Sequence, residues 1–226
     1  MVDPDDIETI TFDSYGTLVD TDAAERALAD RVDDPEPVSR LWRARSLEYT
    51  FLAGQVDAYE PFYEVNRHAL QGALAAHGVD LPADERDEIL SVYHELDVFD
   101  DVRPGMERLR EQGYDLYVLS NGNPAMLDSM VAHAGIEDLL EDTVSAHEIR
   151  QFKPAADLYR HAAGRTGTPI DRIAHVAAGW FDVMGAGNAG MDAVWVNRDG
   201  GPWEPFDGDP DLTVPDIEAV ADEFEG

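Results

Sequence analysis

The chain has no cysteine, and only one of its 16 basic residues is a lysine. Without cysteine there can be no disulfide, no thiolate metal site and no cysteine nucleophile. Basic charge is scarce: 16 Lys and Arg face 48 Asp and Glu, a formal net charge of −32. A phosphate backbone needs a basic footprint, so nucleic acid is not an expected partner, and an anionic membrane surface is disfavoured for the same reason. No apolar run approaches the ~20 residues of a membrane-spanning helix. The opening segment, MVDPDDIETI, carries no basic region followed by an apolar stretch. No signal peptide is therefore expected, and the expectation is a soluble cytoplasmic protein. The seven histidines show no HxH or HExxH spacing, which removes support for a histidine-ligated metal.

What is present is a globular composition under an acidic surface. Hydrophobic residues make up 44% of the 226, enough for a core, so the acidity does not signal disorder. The carboxylates are spread along the whole chain. An acid-rich, lysine-poor surface suits a salt-filled cytoplasm, where screening removes self-repulsion, and a halophilic source is expected.

Hydrophobic patterning divides the chain. Residues 7–13 (IETITFD) read as a strand. Helical spacing follows from Thr21 or Asp22 to about 32, over 37–53, over 59–77 with Gly78 beyond, and over about 83–95. Four helices with short loops predict a small bundle. Strands then alternate with helices: helix 104–112, strand 114–120, helix 124–134, strand near 142–146, helix 155–165, strand 172–178, helix 182–190 and strand 192–197. This order predicts an α/β fold with a parallel sheet and helices on both faces. The bundle reads as an insertion after the first strand, giving a core of 1–18 and 98–226 and a helical cap of 19–97. Residues 199–211, DGGPWEPFDGDPD, read as a surface loop.

Ligands of open parallel sheets bind beyond the carboxyl ends of the strands. Asp13 ends the first strand, Ser120-Asn121-Gly122 the second, Asp182 follows 172–178, and Lys153-Pro154 precedes helix 155–165. Together they would offer two carboxylates, a hydroxyl and an ammonium in one crevice. GAGNAG (185–190) matches GxGxxG but does not directly follow a strand. Its small residues are read as close packing of a helix.

These segments, FDSYGTLVD (12–20), LSNG (119–122), FKP (152–154) and the stretch around Asp182, resemble the four motifs of the haloacid dehalogenase superfamily. The likeness is closest to the L-2-haloacid dehalogenase branch, and LWRARSLEYTFL (41–52) resembles that branch's cap segment. The resemblance implies a Rossmann-like core with an inserted four-helix cap. It also implies hydrolytic dehalogenation of short (S)-2-haloalkanoic acids, with inversion and without a cofactor. In that scheme Asp13 attacks the halogen-bearing carbon and water hydrolyses the resulting ester. Lys153 holds Asp13 ionised, Arg43 accepts the halide, and Ser120 with neighbouring N–H groups binds the substrate carboxylate. Thr17 and Asn121 complete the polar shell, Asp182 orients the water, and Tyr159 matches a further polar position. Tyr15, Leu47, Phe62 and Phe181 wall the alkyl part. A small anionic substrate is the expected partner, and a homodimer is expected because such enzymes often form one.

Two positions bear on the choice of chemistry. Superfamily phosphatases usually carry an Asp two residues after the nucleophile, as general acid for the leaving alcohol; Tyr15 stands there, and halide leaves without a proton. The alternative is a Mg²⁺-dependent phosphatase, with Asp13, the Tyr15 carbonyl and Asp182 as ligands. Ala177 and Gly179 stand where the water-positioning segment typically has Ser and Asn. A hydrolysis-impaired relic is thus a further alternative, unless backbone groups, His175 or Trp180 substitute.

Overall fold

A computed structural model describes residues 2–206 and 208–225. Strand β1 (Thr9–Phe12) is buried on both faces, as its run of β-branched and aromatic residues requires. The chain then enters helices α1 (Ala23–Leu28), α2 (Pro35–Val56), α3 (Phe62–Ala76) and α4 (Ala83–Leu90). It returns through a short 3₁₀ turn at Ser91–His94. The outgoing and returning segments meet at Val19 and Val98, an antiparallel bridge, with Asp20 N–H donating to Asp97 O at 2.8 Å. After that come α5 (Val102–Gln112), β2 (Asp115–Ser120), α6 (Pro124–Ala134), β3 (Asp142–Ser145), α7 (Ala156–Thr166), β4 (Ile173–Ala177), α8 (Trp180–Ala189) and β5 (Asp192–Val196). A last strand and helix, β6 (Leu212–Val214) and α9 (Ile217–Glu223), complete the described chain.

All strand pairs are parallel, in the order β3-β2-β1-β4-β5-β6. Strand order reverses on either side of β1, so the crevice beyond the carboxyl ends of β1 and β4 is the switch point at which ligands bind. Phe12 pairs with Val118 and Val176, placing Asp13, Ser120 and the turn after Ala177 at the same edge. Several helices stop at glycines in the left-handed region, as at Gly113 (φ 101°) after α5.

The expected elements are present with shifted ends. Helix α8 begins at Trp180 because Gly179 is its cap, which moves Asp182 into the first turn. The expected first cap helix shortens to six residues. β6 and α9 were not expected from the sequence. Within the bundle, the indole N–H of Trp42 donates to Asn66 O at 3.0 Å, and Ser46 Oγ to Asn66 Oδ1 at 2.5 Å. No helix among the described residues is long and apolar enough to cross a membrane.

Candidate active site

Asp13 leaves β1 with its N–H still donating to Val176 O at 2.9 Å. The chain must then reverse at once, and Gly16 takes the φ of 84° that the turn demands. The turn brings Thr17 back over Asp13, where its hydroxyl donates to Asp13 Oδ2 at 2.8 Å. Thr17 Oγ1 in turn accepts the N–H of Ala178 at 2.9 Å. Arg198, past β5, fastens the same turn: it donates to Thr17 O at 2.7 Å and is paired to Asp101 through both guanidinium arms at 2.8 and 3.0 Å.

The single lysine lies at the centre. Lys153 is 2% exposed, and its Nζ donates to Asp13 Oδ1 at 2.9 Å and to Asp182 Oδ2 at 2.6 Å. Its backbone N–H is held by Asn121 Oδ1 at 2.8 Å. The other oxygen of Asp182, Oδ1, receives the Tyr159 hydroxyl at 2.7 Å and lies 3.0 Å from His175 Nε2. Asp182 and His175 are both buried. A carboxylate only accepts, so Nε2 carries the proton, and Nδ1 faces the Thr11 hydroxyl at 2.8 Å. Asp13 keeps 15% of its side-chain surface, so it is the open end of an otherwise closed array.

Charge follows this geometry. Burial opposes ionisation of Asp182, but Lys153, then His175, outweigh it and hold the carboxyl below its ordinary range. Burial likewise opposes the Lys153 ammonium, and the two aspartates outweigh it, raising its pKa. Burial, then Asp182, keep the Tyr159 hydroxyl protonated. The phenol of Tyr15 is raised by burial, then by Tyr93 and Asp13.

An aromatic group stands beside the array. Tyr15 stacks on Phe62 of α3 (5.9 Å) and meets Tyr93 edge-on (5.6 Å). Its hydroxyl is buried without a hydrogen-bond partner, 3.0 Å from where a Cβ on Gly122 would stand. Phe181 meets Phe51 of α2 edge-on at 5.4 Å. Leu47 is half-buried on α2. A cavity of about 1330 Å³ is lined by Phe51, Tyr59, Phe152, Lys153, Trp180 and Phe181, among others.

Two expected side chains have other partners. Ser120 is fully buried; its Oγ is hydrogen-bonded to Ser14 Oγ at 2.7 Å and accepts Gly122 N–H at 3.0 Å. It therefore shapes the turn rather than presenting a free hydroxyl. Arg43 donates to Thr21 Oγ1 (3.2 Å) and Asp22 Oδ1 (2.9 Å) at the start of α1. Residues missed by sequence reasoning are Ser14, Thr11 and Arg198. Their bonds to Ser120, His175 and Thr17 span 106, 164 and 181 positions, beyond any local signal.

The array does not fit a magnesium ion held by Asp13 and Asp182. An ammonium bridges those two carboxylates, and Asp182 Oδ1 already takes two donors. Ala177 and Gly179 offer no side-chain donors, and a Cβ on Gly179 would stand 2.9 Å from the ring of Phe181. GAGNAG forms the end of α8 and its Gly190 cap, and its Gly185 permits contact with Tyr159 and Pro154.

Comparison with known proteins gives one consistent picture. A family model described as haloacid dehalogenase-like hydrolase matches residues 7–190. The (S)-2-haloacid dehalogenase of Pseudomonas sp. (strain YL) is 32% identical over 226 residues, covering 98% of this chain and 96% of that one. (S)-2-haloacid dehalogenase 4A of Burkholderia cepacia is 32% identical over 201 residues, covering 88% and 87%. Among solved structures, L-2-haloacid dehalogenase from Xanthobacter autotrophicus with covalently bound chloropropionic acid superposes with a TM-score of 0.90 at 26% identity, covering 97% and 99%.

Proposed function

This chain belongs to the haloacid dehalogenase-like hydrolases, and on that premise we propose that it hydrolyses the carbon–halogen bond of short (S)-2-haloalkanoic acids, giving 2-hydroxy acids. The observation that carries this reading is the array Asp13–Lys153–Asp182, with Tyr15 in place of an acid that could protonate a leaving alcohol. An oxygen of Asp13 attacks C2 of the substrate; the C–halogen pair leaves with the halide, and configuration inverts. Lys153 and Thr17 each donate to Asp13, one to either carboxylate oxygen, and hold it aimed. Water then attacks Asp13 Cγ with Asp182 as its base, and the Cγ–O bond to the product breaks.

The polar turn at Ser120–Gly122 and the N-terminus of α6 are the proposed seat of the substrate carboxylate, with Asn121 beside it. Tyr15, Leu47, Phe62 and Phe181 enclose the alkyl group, and Tyr159 steadies Asp182. For Arg43 to receive halide it must exchange its bond to Asp22 for the ligand. The division into a core of 1–18 and 98–226 and a cap of 19–97 is supported by the bridge between Val19 and Val98.

The test is halide release from (S)-2-bromopropionate in molar salt, with and without EDTA, beside p-nitrophenyl phosphate with Mg²⁺. EDTA-insensitive bromide release is expected, and Asp13→Asn should abolish it. Magnesium-dependent phosphate release without bromide would move the chain to phosphatase chemistry. A bromide burst equal to the enzyme, with no turnover, would mark a chain unable to hydrolyse its ester.

A further inference from the structure

Once Asp13 is esterified, Asp182 is the anion left beside Lys153, and its two oxygens are not equivalent. Oδ1 faces Tyr159 OH at 2.7 Å and His175 Nε2 at 3.0 Å; Oδ2 faces Lys153 Nζ at 2.6 Å. A carboxylate oxygen offers about two lone-pair directions. Oδ1 is therefore filled, and the remaining direction belongs to Oδ2, the oxygen that shares Lys153 with Asp13. His175 decides this. Its ring is fully buried on β4, meets Tyr159 edge-on at 5.6 Å, and is fixed by Thr11 on β1 at 2.8 Å. Thr11 lies two residues before Asp13, so the bonds close a circuit: Asp13, Lys153, Asp182, His175, Thr11 and back along β1.

We propose that His175 is a positioning residue for hydrolysis of the aspartyl ester: by filling Oδ1 it leaves Oδ2 of Asp182 as the base for the attacking water. The role rests on the dehalogenase reading above. It is needed here because neither Ala177 nor Gly179 brings a side-chain donor, and the Phe181 ring occupies the space beside Gly179. In the step, water oxygen bonds to Asp13 Cγ and one water proton passes to Asp182 Oδ2. The Cγ–O bond to the alkyl carbon breaks. One of the two water protons ends on the 2-hydroxy acid, the other is released, and Asp13 returns as a carboxylate.

The experiment is rapid-quench halide release from (S)-2-bromopropionate, with mass analysis of the ester on Asp13, for wild type, His175→Phe and His175→Gln. In His175→Phe the bromide burst should survive, turnover should fall about 10–100-fold, less than the roughly 10²–10⁴-fold that loss of a general base itself would cost, and ester should accumulate. His175→Gln, which can still donate to Asp182, should recover most of the turnover. Unchanged turnover and ester level in His175→Phe overturn the role, as does an equal fall in burst and turnover in a folded variant. If His175→Phe fails to fold, Thr11→Val, an isosteric change that removes only the bond fixing the ring, reads the same division between burst and turnover. A wild type that releases no halide from any 2-haloacid overturns the dehalogenase reading, and this role with it; wild-type turnover with an unaffected variant overturns the role alone.

Discussion

Lys153 is the residue on which the site turns. Arg cannot replace an ammonium lodged between two carboxylates, because its planar fork needs more room and a different set of directions. Lys153→Met would leave Asp182 buried without its ammonium partner, with only Tyr159 and His175 still donating to it. Removing one partner of a buried pair costs about 3–5 kcal/mol, so the variant should melt well below wild type and release no halide; unchanged melting in calorimetry would count against the array. Asp182 has a folded pKa below its unfolded one, so its stabilisation is present above the ordinary value of 3.8 and is lost as pH falls through the folded value. Tyr93 works at the other end. Burial, opposed by Arg43, pushes its phenol up to about 12 from 10.0. Its contribution is therefore full below pH 10.0 and is lost as pH rises toward about 12. In an absorbance titration, the folded protein should ionise part of its eight tyrosines only toward pH about 12, whereas the urea-unfolded chain should ionise them near 10.0. The identities of Asp13, Lys153 and Asp182 were legible in the sequence because strand ends mark the crevice. The directions of Arg43 and Ser120 were not, since each is set by a neighbour, Asp22 or Ser14, whose competing bond no spacing encodes.

At the scale of elements, the alternation of strand and helix was legible because helices α5, α6, α7 and α8 each stop at a glycine, Gly113, Gly135, Gly167 and Gly190. The last pair was not: β6 has three residues and α9 seven, too short for a period to show. Helix α8 shows how an element serves the site. A Cβ at Gly185 would stand 2.5 Å from Tyr159 OH and 2.6 Å from Pro154 Cβ, so α8 can approach α7 and the Lys153 loop only through a bare backbone. Gly185→Ala should cost about 1–3 kcal/mol through overpacking, and should lower turnover further by pushing Tyr159 off Asp182. Gly164, exposed in the last turn of α7, has nothing within 4 Å of its missing Cβ. Gly164→Ala should therefore stabilise by about 0.5–1 kcal/mol and leave turnover alone. Thermal melts of the two variants should move in opposite directions; a melting point for Gly185→Ala that stays level or rises would mean that close approach at Gly185 does not matter.

For the whole molecule, charge governs. With 48 Asp and Glu against 16 Lys and Arg, acidic groups outnumber basic ones three to one. Arginines on the surface do form ion pairs, such as Arg103 with Asp138 at 2.8 Å and Arg108 with Asp222 at 2.7 Å. Such exposed pairs are screened by solvent and contribute little to stability. Salt acts on both attractions and repulsions, and the sign of its effect depends on which are more numerous. Here the acidic excess makes repulsion the larger sum, so screening should stabilise the fold. The Debye length shrinks from about 10 Å at 0.1 M to about 3 Å at 1 M, so most of the gain should come below about 1 M and then level off. Chloride is the proper salt for the measurement, because sulfate also strengthens apolar burial. Urea unfolding in KCl should show a midpoint that rises with salt at constant slope. A midpoint that is flat or falls would mean that the ion pairs dominate, and would remove the argument for adaptation to a salt-filled cytoplasm. The buried contact between Lys153 and Asp182 lies out of reach of the ions, so the loss caused by Lys153→Met should be nearly the same at 0.1 M as at 2 M KCl. Screening of the surface and cohesion of the site would then separate in a single titration.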